Sequence, residues 1–165
     1  MTNVAGREVQ RNDLAVMGAG VAVFVFSLLP YWGFSYNVKG LGGGSASITA
    51  WHGMALLGVL LLLAAAGIVA ARVFAGVTLP AAPIGWHVIV AGVAAIGTLL
   101  VIIRGLTYPH ASGLGGSYGV KWGGYLLFIA AIVETAFAVM AFRESGESLS
   151  FDRGTQGDVP PPATT

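Results

Sequence analysis

Four long apolar runs constrain this chain of 165 residues more than any other feature. The runs cover residues of about 14–32, 51–71, 86–103 and 122–142. Each is close to the roughly 20 apolar residues that an α-helix needs to cross a hydrocarbon core about 30 Å thick. In lipid a helix satisfies its own backbone hydrogen bonds, and the runs lack the alternation of β-barrel strands. The runs therefore predict four transmembrane helices.

The composition agrees with a membrane location. The chain is 56% hydrophobic and 9% charged, whereas a soluble domain is about 45–50% apolar and about 25% charged. So few charges cannot cover a water-facing surface, which excludes a soluble globular enzyme and makes the lipid bilayer the main partner. The net charge of +1 lacks the basic excess that nucleic-acid binding needs. With no cysteine, there is no disulfide and no thiolate metal site.

The four runs divide the chain into three parts. We predict a cytoplasmic segment over 1–13, a transmembrane domain over 14–142 and a disordered cytoplasmic tail over 143–165. The tail prediction depends on low hydrophobicity, prolines and mixed charge. Two Gly- and Ser-rich connections, one before the second run and one before the fourth, are each too short to bury a core. The expected fold class is all-α, a four-helix transmembrane bundle.

The basic residues suggest an orientation. Short cytoplasmic loops carry an excess of Lys and Arg. With both termini in the cytoplasm, five basic residues lie inside and three outside: Arg7, Arg11, Arg72, Arg143 and Arg153 against Lys39, Arg104 and Lys121. We therefore expect a multi-pass protein of the cell membrane with both termini cytoplasmic.

Glu134 is the only charged side chain inside an apolar run. It lies about 12 residues into the fourth run, or roughly 18 Å deep, where a charged side chain costs at least about 2.5–3.5 kcal/mol. Ala130 and Ala138 share its helical stripe, so the side chain is expected to face another helix. Three interpretations are open: a proton or cation site, a neutral carboxyl hydrogen-bonded between helices, or an ion pair with a partner subunit. The second is favoured.

The third run offers two further polar side chains. Thr98 lies at a similar depth, and His87 is the nearest ionisable residue, offset by about 7–8 Å along the helix axis. Glu134, His87 and Thr98 form the candidate polar site, although the spacing forces no ion pair.

Catalytic and cofactor sites have little support. Ser27 is the only serine within a run, and no histidine or aspartate is placed to activate it. Membrane haem proteins need histidine pairs at matched depth, but His52 and His87 belong to opposite faces. Two outer histidines without carboxylates fall short of a metal site. We therefore expect no enzyme activity, no metal and no cofactor.

Two patterns surround the Gly-rich connections. A Gly-Leu-Gly-Gly motif at 40–43 precedes Trp51, and the same motif at 113–116 precedes Trp122. The pattern is consistent with parallel repeats, as in some transporters, but common features of membrane hairpins explain it more simply. Aromatic residues also concentrate here, namely Tyr31, Trp32, Tyr36, Tyr108 and Tyr118. Stacking on sugar or lipid headgroups is one interpretation, and an interfacial aromatic belt is the simpler one.

The exit from the first run and the entry to the second carry a resemblance. The segment Leu28-Leu29-Pro30-Tyr31-Trp32, followed by a Gly/Ser-rich loop that ends at Ala50-Trp51, resembles uncharacterised four-span membrane proteins of actinobacterial type. The resemblance covers residues of about 10–145 and implies an architecture, not an activity.

The expected function is that of a non-enzymatic accessory or scaffold subunit of a membrane or cell-envelope complex. It would associate with other membrane proteins, or with itself, through helix faces of small residues. The alternative is a small transporter or channel component that uses Glu134 as a proton or cation site.

Overall fold

The predicted helices are all present. A computed structural model describes residues 2–4, 7–38, 42–75, 85–107, 111–113 and 116–147. Its helices are α1 (Arg11–Ser27), α2 (Met54–Ala75), α3 (Trp86–Thr107) and α4 (Trp122–Ser145). The prediction of four helices is confirmed, with ends shifted from those expected. The prediction that they span a membrane is supported for α2, α3 and α4 and stays a prediction for α1.

The helices form a bundle in which each one packs against the next in the chain, and α4 closes the ring against α1. Small residues allow the closest approach. A Cβ added to Gly58 of α2 would lie 2.7 Å from the carbonyl oxygen of Gly97 in α3, and one added to Gly97 would lie 2.9 Å from that of Gly58. This backbone contact is typical of membrane helices, where lipid gives no hydrophobic drive for association.

Three of the four helices support the membrane location of the chain. By length and composition, α2, α3 and α4 can each cross a membrane. Large apolar side chains, among them Leu57, Ile96 and Ile129, are exposed on the surface of the bundle, as expected for contact with lipid. The chain is a multi-pass integral membrane protein. The 17 residues of α1 extend only about 25 Å, so α1 is the shortest of the four.

The first helix ends earlier than expected. The predicted run continued to residue 32, but α1 ends at Ser27 because Pro30 cannot continue a helix. The Ser27 hydroxyl donates to the carbonyl oxygen of Phe24 (2.7 Å) and accepts a hydrogen bond from Trp51 Nε1 (2.9 Å). Hydropathy did not reveal this turn, because the residues after it are also apolar.

The two Gly-rich connections form strands, so the all-α prediction is wrong in this respect. A small hairpin of β1 (Thr2–Val4) and β2 (Arg7–Val9) precedes α1. The first connection contains β3 (Trp32–Val38) and β4 (Gly42–Ile48), and the second contains β5 (Ala111–Gly113) and β6 (Gly116–Val120). They join in one antiparallel sheet of order β4-β3-β6-β5. An isolated two-stranded hairpin has marginal stability, whereas a sheet of four paired strands that packs on helices is stable.

Tyr31 fastens this sheet to the helices. Its backbone N–H donates to the carbonyl oxygen of Ile48 (2.9 Å), and its carbonyl oxygen accepts from the Lys121 N–H (3.0 Å). Its hydroxyl donates to the carbonyl oxygen of Val101 in α3 (2.6 Å). Only 1% of Tyr31 is exposed, so its expected place in an interfacial aromatic belt is wrong. Tyr108 lies outside the described residues.

The sheet order does not agree with parallel repeats. The sequence pattern equates β3 with β5 and β4 with β6, and a two-fold axis would then put equivalent strands at the centre. The central pair is instead β3 with β6, which are not equivalent. The simpler explanation of the motif is therefore favoured.

Candidate functional site

Glu134 lies inside the bundle, on α4, and is 0% exposed. It sits behind the closest contact between α1 and α2. A Cβ added to Gly20 of α1 would overlap the Cβ of Ala66 in α2 and would lie 4.0 Å from Glu134 Oε1. The absence of a side chain at Gly20 therefore leaves room for both the helix contact and the carboxyl group.

The carboxyl group has no polar partner in the part of the chain that the structure describes. Neither Oε1 nor Oε2 of Glu134 accepts or donates a hydrogen bond there. Buried apolar side chains separate it from both ends of the bundle: Val23, Leu62 and Leu127 on the side of the sheet, and Val16, Val69 and Ala138 on the other. An ionised carboxylate in such surroundings is strongly disfavoured relative to the neutral acid.

Two of the three interpretations of Glu134 lose support from this geometry. Pairing with a partner subunit needs a carboxyl that reaches the surface of the chain, and Glu134 does not. A hydrogen-bonded contact between helices needs an acceptor, which no described residue supplies. A site that binds an ion or a proton needs a carboxyl group that is not already hydrogen-bonded, and Glu134 meets this condition among the described residues.

Thr98 lies against the part of α4 that carries Glu134, but it bonds to other residues. Its hydroxyl donates to the carbonyl oxygen of Ala131 (3.0 Å) and shares a hydrogen bond with the hydroxyl of Thr135 (2.8 Å). Ala131 and Thr135 flank Glu134 on α4, so Thr98 fastens α3 to that turn. The structure therefore brings Thr98 to the α4 turn that carries Glu134 but gives it no hydrogen bond to the carboxyl group.

His87 belongs to a different cluster. It lies at the end of the bundle where α1 begins and α4 ends, which we call the termini end. Its Nδ1 bonds to Glu147 Oε1 (3.0 Å), and its backbone N–H donates to Glu147 Oε2 (3.0 Å). Its Nε2 bonds to Arg72 Nη1 (3.2 Å). The structure therefore does not bring His87 to Glu134.

The same bonds correct the predicted tail. Disorder was expected from residue 143, but α4 continues to Ser145, and Gly146 ends it in a left-handed conformation (φ 69°). Glu147 then accepts the backbone N–H of His87 at the start of α3. A carboxylate at a helix N-terminus is favourable, since the first N–H groups lack partners within the helix. Residues from 148 onward lie outside the described residues.

All four helices contribute ionisable side chains to the termini end. We call this set the termini-end cluster: Asp13, Arg72, His87, Glu144 and Glu147. Burial raises the pKa of Asp13 above its ordinary value, although His87 and Arg72 act in the opposite direction. Partial burial also acts to raise the pKa of Glu147, but the hydrogen bonds from His87 outweigh it and hold that pKa below its ordinary value.

Sequence analysis did not identify this cluster. One signal was available, since a bundle of alternating helices brings the start of α1, the end of α2, the start of α3 and the end of α4 together. The assumed disorder after Phe142 concealed the contribution of Glu147. Within the described residues, no group of three or more His, Asp or Glu side chains is placed to hold a metal ion.

The contact between Glu147 and α3 predicts a loss of stability in acid. Its lowered pKa means that its contribution is fully present above about pH 4.5, the ordinary value, and is lost as the pH falls through the lower value of the folded state. Glu147→Gln is expected to lower the free energy of unfolding by about 1 kcal/mol at neutral pH. The difference from the wild type should shrink toward zero by about pH 3.

Thermal unfolding in detergent, followed by circular dichroism between about pH 6 and pH 3, measures this difference. Glu144→Gln is the matched control, because Glu144 is an exposed acid three residues earlier. An equal difference between Glu147→Gln and the wild type at both pH values would contradict the prediction.

Comparison of the chain with known protein families, curated proteins and solved structures gives no match.

Proposed function

We propose that this chain is a cell-membrane protein, with both termini cytoplasmic, that acts as a small transporter or channel component in which Glu134 binds and releases a proton. One observation carries the proposal. Glu134 is completely buried in the bundle, and neither of its carboxyl oxygens has a hydrogen-bond partner among the described residues. A protein retains such a costly group in a membrane helix for a functional reason more often than for a structural one.

The ligand follows from the small number of polar atoms. Metal cations such as Ca²⁺ and Na⁺ are held by several oxygen ligands, whereas this site offers a single carboxyl group. Ala66, Ala130, Ala131 and Gly20 surround it with small apolar residues. A proton needs one carboxyl oxygen only, so the site suits a proton better than a metal ion.

The termini-end cluster is the nearest source of protons. Asp13 lies seven residues before Gly20 on α1, which is two helical turns on the same face, or about 10 Å. Burial holds the pKa of Asp13 above its ordinary value, which suits a group that exchanges protons. The apolar layer between them includes Val16 and Ala138 and must open for a proton to pass.

Proton flux into liposomes tests the proposal. The purified full chain is reconstituted with a pH-sensitive dye inside the vesicles, and a potassium diffusion potential drives protons inward. We expect uptake by the wild type and by Arg143→Gln, which removes an exposed charge of α4 that lies outside the termini-end cluster. Glu134→Gln is expected to abolish uptake, because glutamine does not release a proton at accessible pH. Unchanged uptake by a folded Glu134→Gln variant would refute the proposal.

A scaffold role remains the second candidate, favoured by the edge of the sheet. Among the described strands, β4 pairs with β3 alone, and six of its seven residues carry no charge and no branched side chain. Uncovered edges of this kind accept strands from other chains. If β4 binds a partner, Ser45→Lys together with Ser47→Lys should remove a protein that otherwise copurifies from the native membrane. Identical copurification with the wild type and with this double variant would reject the scaffold role.

A further inference from the structure

An apolar groove runs along the outside of the bundle between α1 and α2. It encloses about 370 Å³. Val21 and Phe24 from α1 and Phe74 from α2 form its exposed walls, and Gly20 and Ala66 lie at its floor. The lining consists of apolar side chains and glycines, so the groove opens toward lipid rather than toward water.

The carboxyl group of Glu134 lies directly behind this floor. Gly20 and Ala66 line the groove, and they are also the two residues whose close contact covers the carboxyl. The position of a Cβ on Gly20 would be 4.0 Å from Glu134 Oε1. A glycine and an alanine therefore lie between a completely buried acid and a lipid-facing groove, and contact between the two requires α1 and α2 to separate at this point.

We propose that the groove and Glu134 together form a binding site for a hydrophobic organic cation that enters from the lipid. The inference rests on the proposed function and names the substrate class of the same site. An apolar body fits the groove, and a single positive charge fits the single carboxylate behind it.

A lipid-facing groove can accept neutral, anionic or cationic apolar molecules, and the carboxyl group of Glu134 favours the cationic ones. A neutral acyl chain leaves the carboxyl group without a partner, and an anion opposes it. A cation supplies the counter-charge that the described residues do not, since no charged side chain among them forms a hydrogen bond with Glu134. In α1 and α2 the nearest charged residues are Asp13 and Arg72, at the termini end. In α3 the nearest is Arg104, six residues beyond Thr98 toward the sheet. A charge pair in apolar surroundings is strong when both members are present.

The binding step exchanges one cation for one proton. The neutral carboxyl group of Glu134 loses its proton to the aqueous phase, and the resulting carboxylate pairs with the bound cation. Charge is conserved, because one positive charge leaves the site as another enters. The same carboxyl group therefore cannot hold a proton and a cation together, which is the requirement for exchange of one against the other.

Binding of tetraphenylphosphonium to the purified full chain in detergent tests the inference, with tetraphenylborate as an anion of the same shape. Isothermal titration calorimetry in buffers of different ionisation enthalpy gives the affinity and the number of protons released. We expect the cation to bind with release of about one proton, and Glu134→Gln to weaken its binding about 30-fold or more. The anion is expected to bind no better than it binds to empty micelles.

A variant in the groove separates this inference from the proposed function. Gly67 lines the groove and has open space beside it, so Gly67→Leu fills the groove without a clash and should weaken cation binding at least about tenfold. Gly92→Leu is the matched control, because Gly92 of α3 is also open and lies outside the groove lining. It should leave cation binding unchanged.

Each outcome has a distinct meaning. Equal binding of the cation and the anion, or cation binding that Glu134→Gln and Gly67→Leu leave unchanged, would overturn the inference and identify the groove as a nonspecific lipid contact. Absence of cation binding in a chain whose proton uptake depends on Glu134 would overturn the inference alone. Proton uptake independent of Glu134 would overturn the proposed function.

Discussion

Glu134→Met is expected to raise the free energy of unfolding of the bundle by about 1–3 kcal/mol. Methionine has a similar length and no branch, so it fills the same volume with atoms that need no hydrogen bond. The wild-type carboxyl group loses its hydration on folding and gains no hydrogen bond from a described residue. Removing that cost stabilises the bundle, as commonly occurs when a buried polar group serves function rather than stability.

Thr98→Val is the matched control. Thr98 is also a buried polar residue of the bundle, but its hydroxyl bonds to Ala131 and Thr135. Its replacement is expected to lower the free energy of unfolding by about 0.5–1.5 kcal/mol. Reversible unfolding in mixed micelles measures both changes. A destabilising Glu134→Met would contradict the prediction and favour a carboxyl group that holds helices together.

Gly58→Val is expected to lower the free energy of unfolding by about 2–3 kcal/mol, or to prevent folding. The added Cβ would lie 2.7 Å from both the carbonyl oxygen of Gly97 and Cγ2 of Val101, and 3.0 Å from the backbone nitrogen of Val101. Two of these three atoms belong to the backbone of α3 and cannot move aside as the end of a flexible side chain can. The helices must therefore separate along the whole contact.

Gly92→Val distinguishes this clash from the general cost of a branched residue in a helix. Gly92 lies on α3, is exposed, and has nothing within 4 Å of an added Cβ. It should unfold like the wild type in the same assay and should give a similar yield from membranes. Comparable losses at Gly58 and Gly92 would show that the backbone contact between α2 and α3 is not tight.

The boundaries of the helices show what hydropathy resolves. It located all four helices, since an uncharged run of this length has few alternatives in lipid. It misplaced the end of α1, because Pro30 and the side-chain bonds of Ser27 decide that end while Leu28, Leu29 and Trp32 remain apolar. The end of α4 was set too early, because the contact of Glu147 with α3 is invisible in sequence.

The sheet shows a second limit. Each Gly-rich connection, considered alone, lacks the length and the side chains of a stable unit. The pairing of β3 with β6 joins residues 80 or more positions apart, and no local pattern predicts such a pairing. Tyr31 was for the same reason expected at the membrane interface, although its bonds to Ile48, Val101 and Lys121 place it in the interior.

By itself, the sequence determined that this protein resides in a membrane as a set of helices with one acid in its interior. The free energy of transferring a segment from water to lipid depends on the composition of that segment, which is a local property of the sequence. Only the tertiary structure decided which polar groups meet: Thr98 with Thr135, His87 with Glu147 and Arg72, and Glu134 with none of the described residues. Hydrogen bonds and close helix contacts depend on distances of a few ångströms between distant parts of the chain, and packing alone sets those distances.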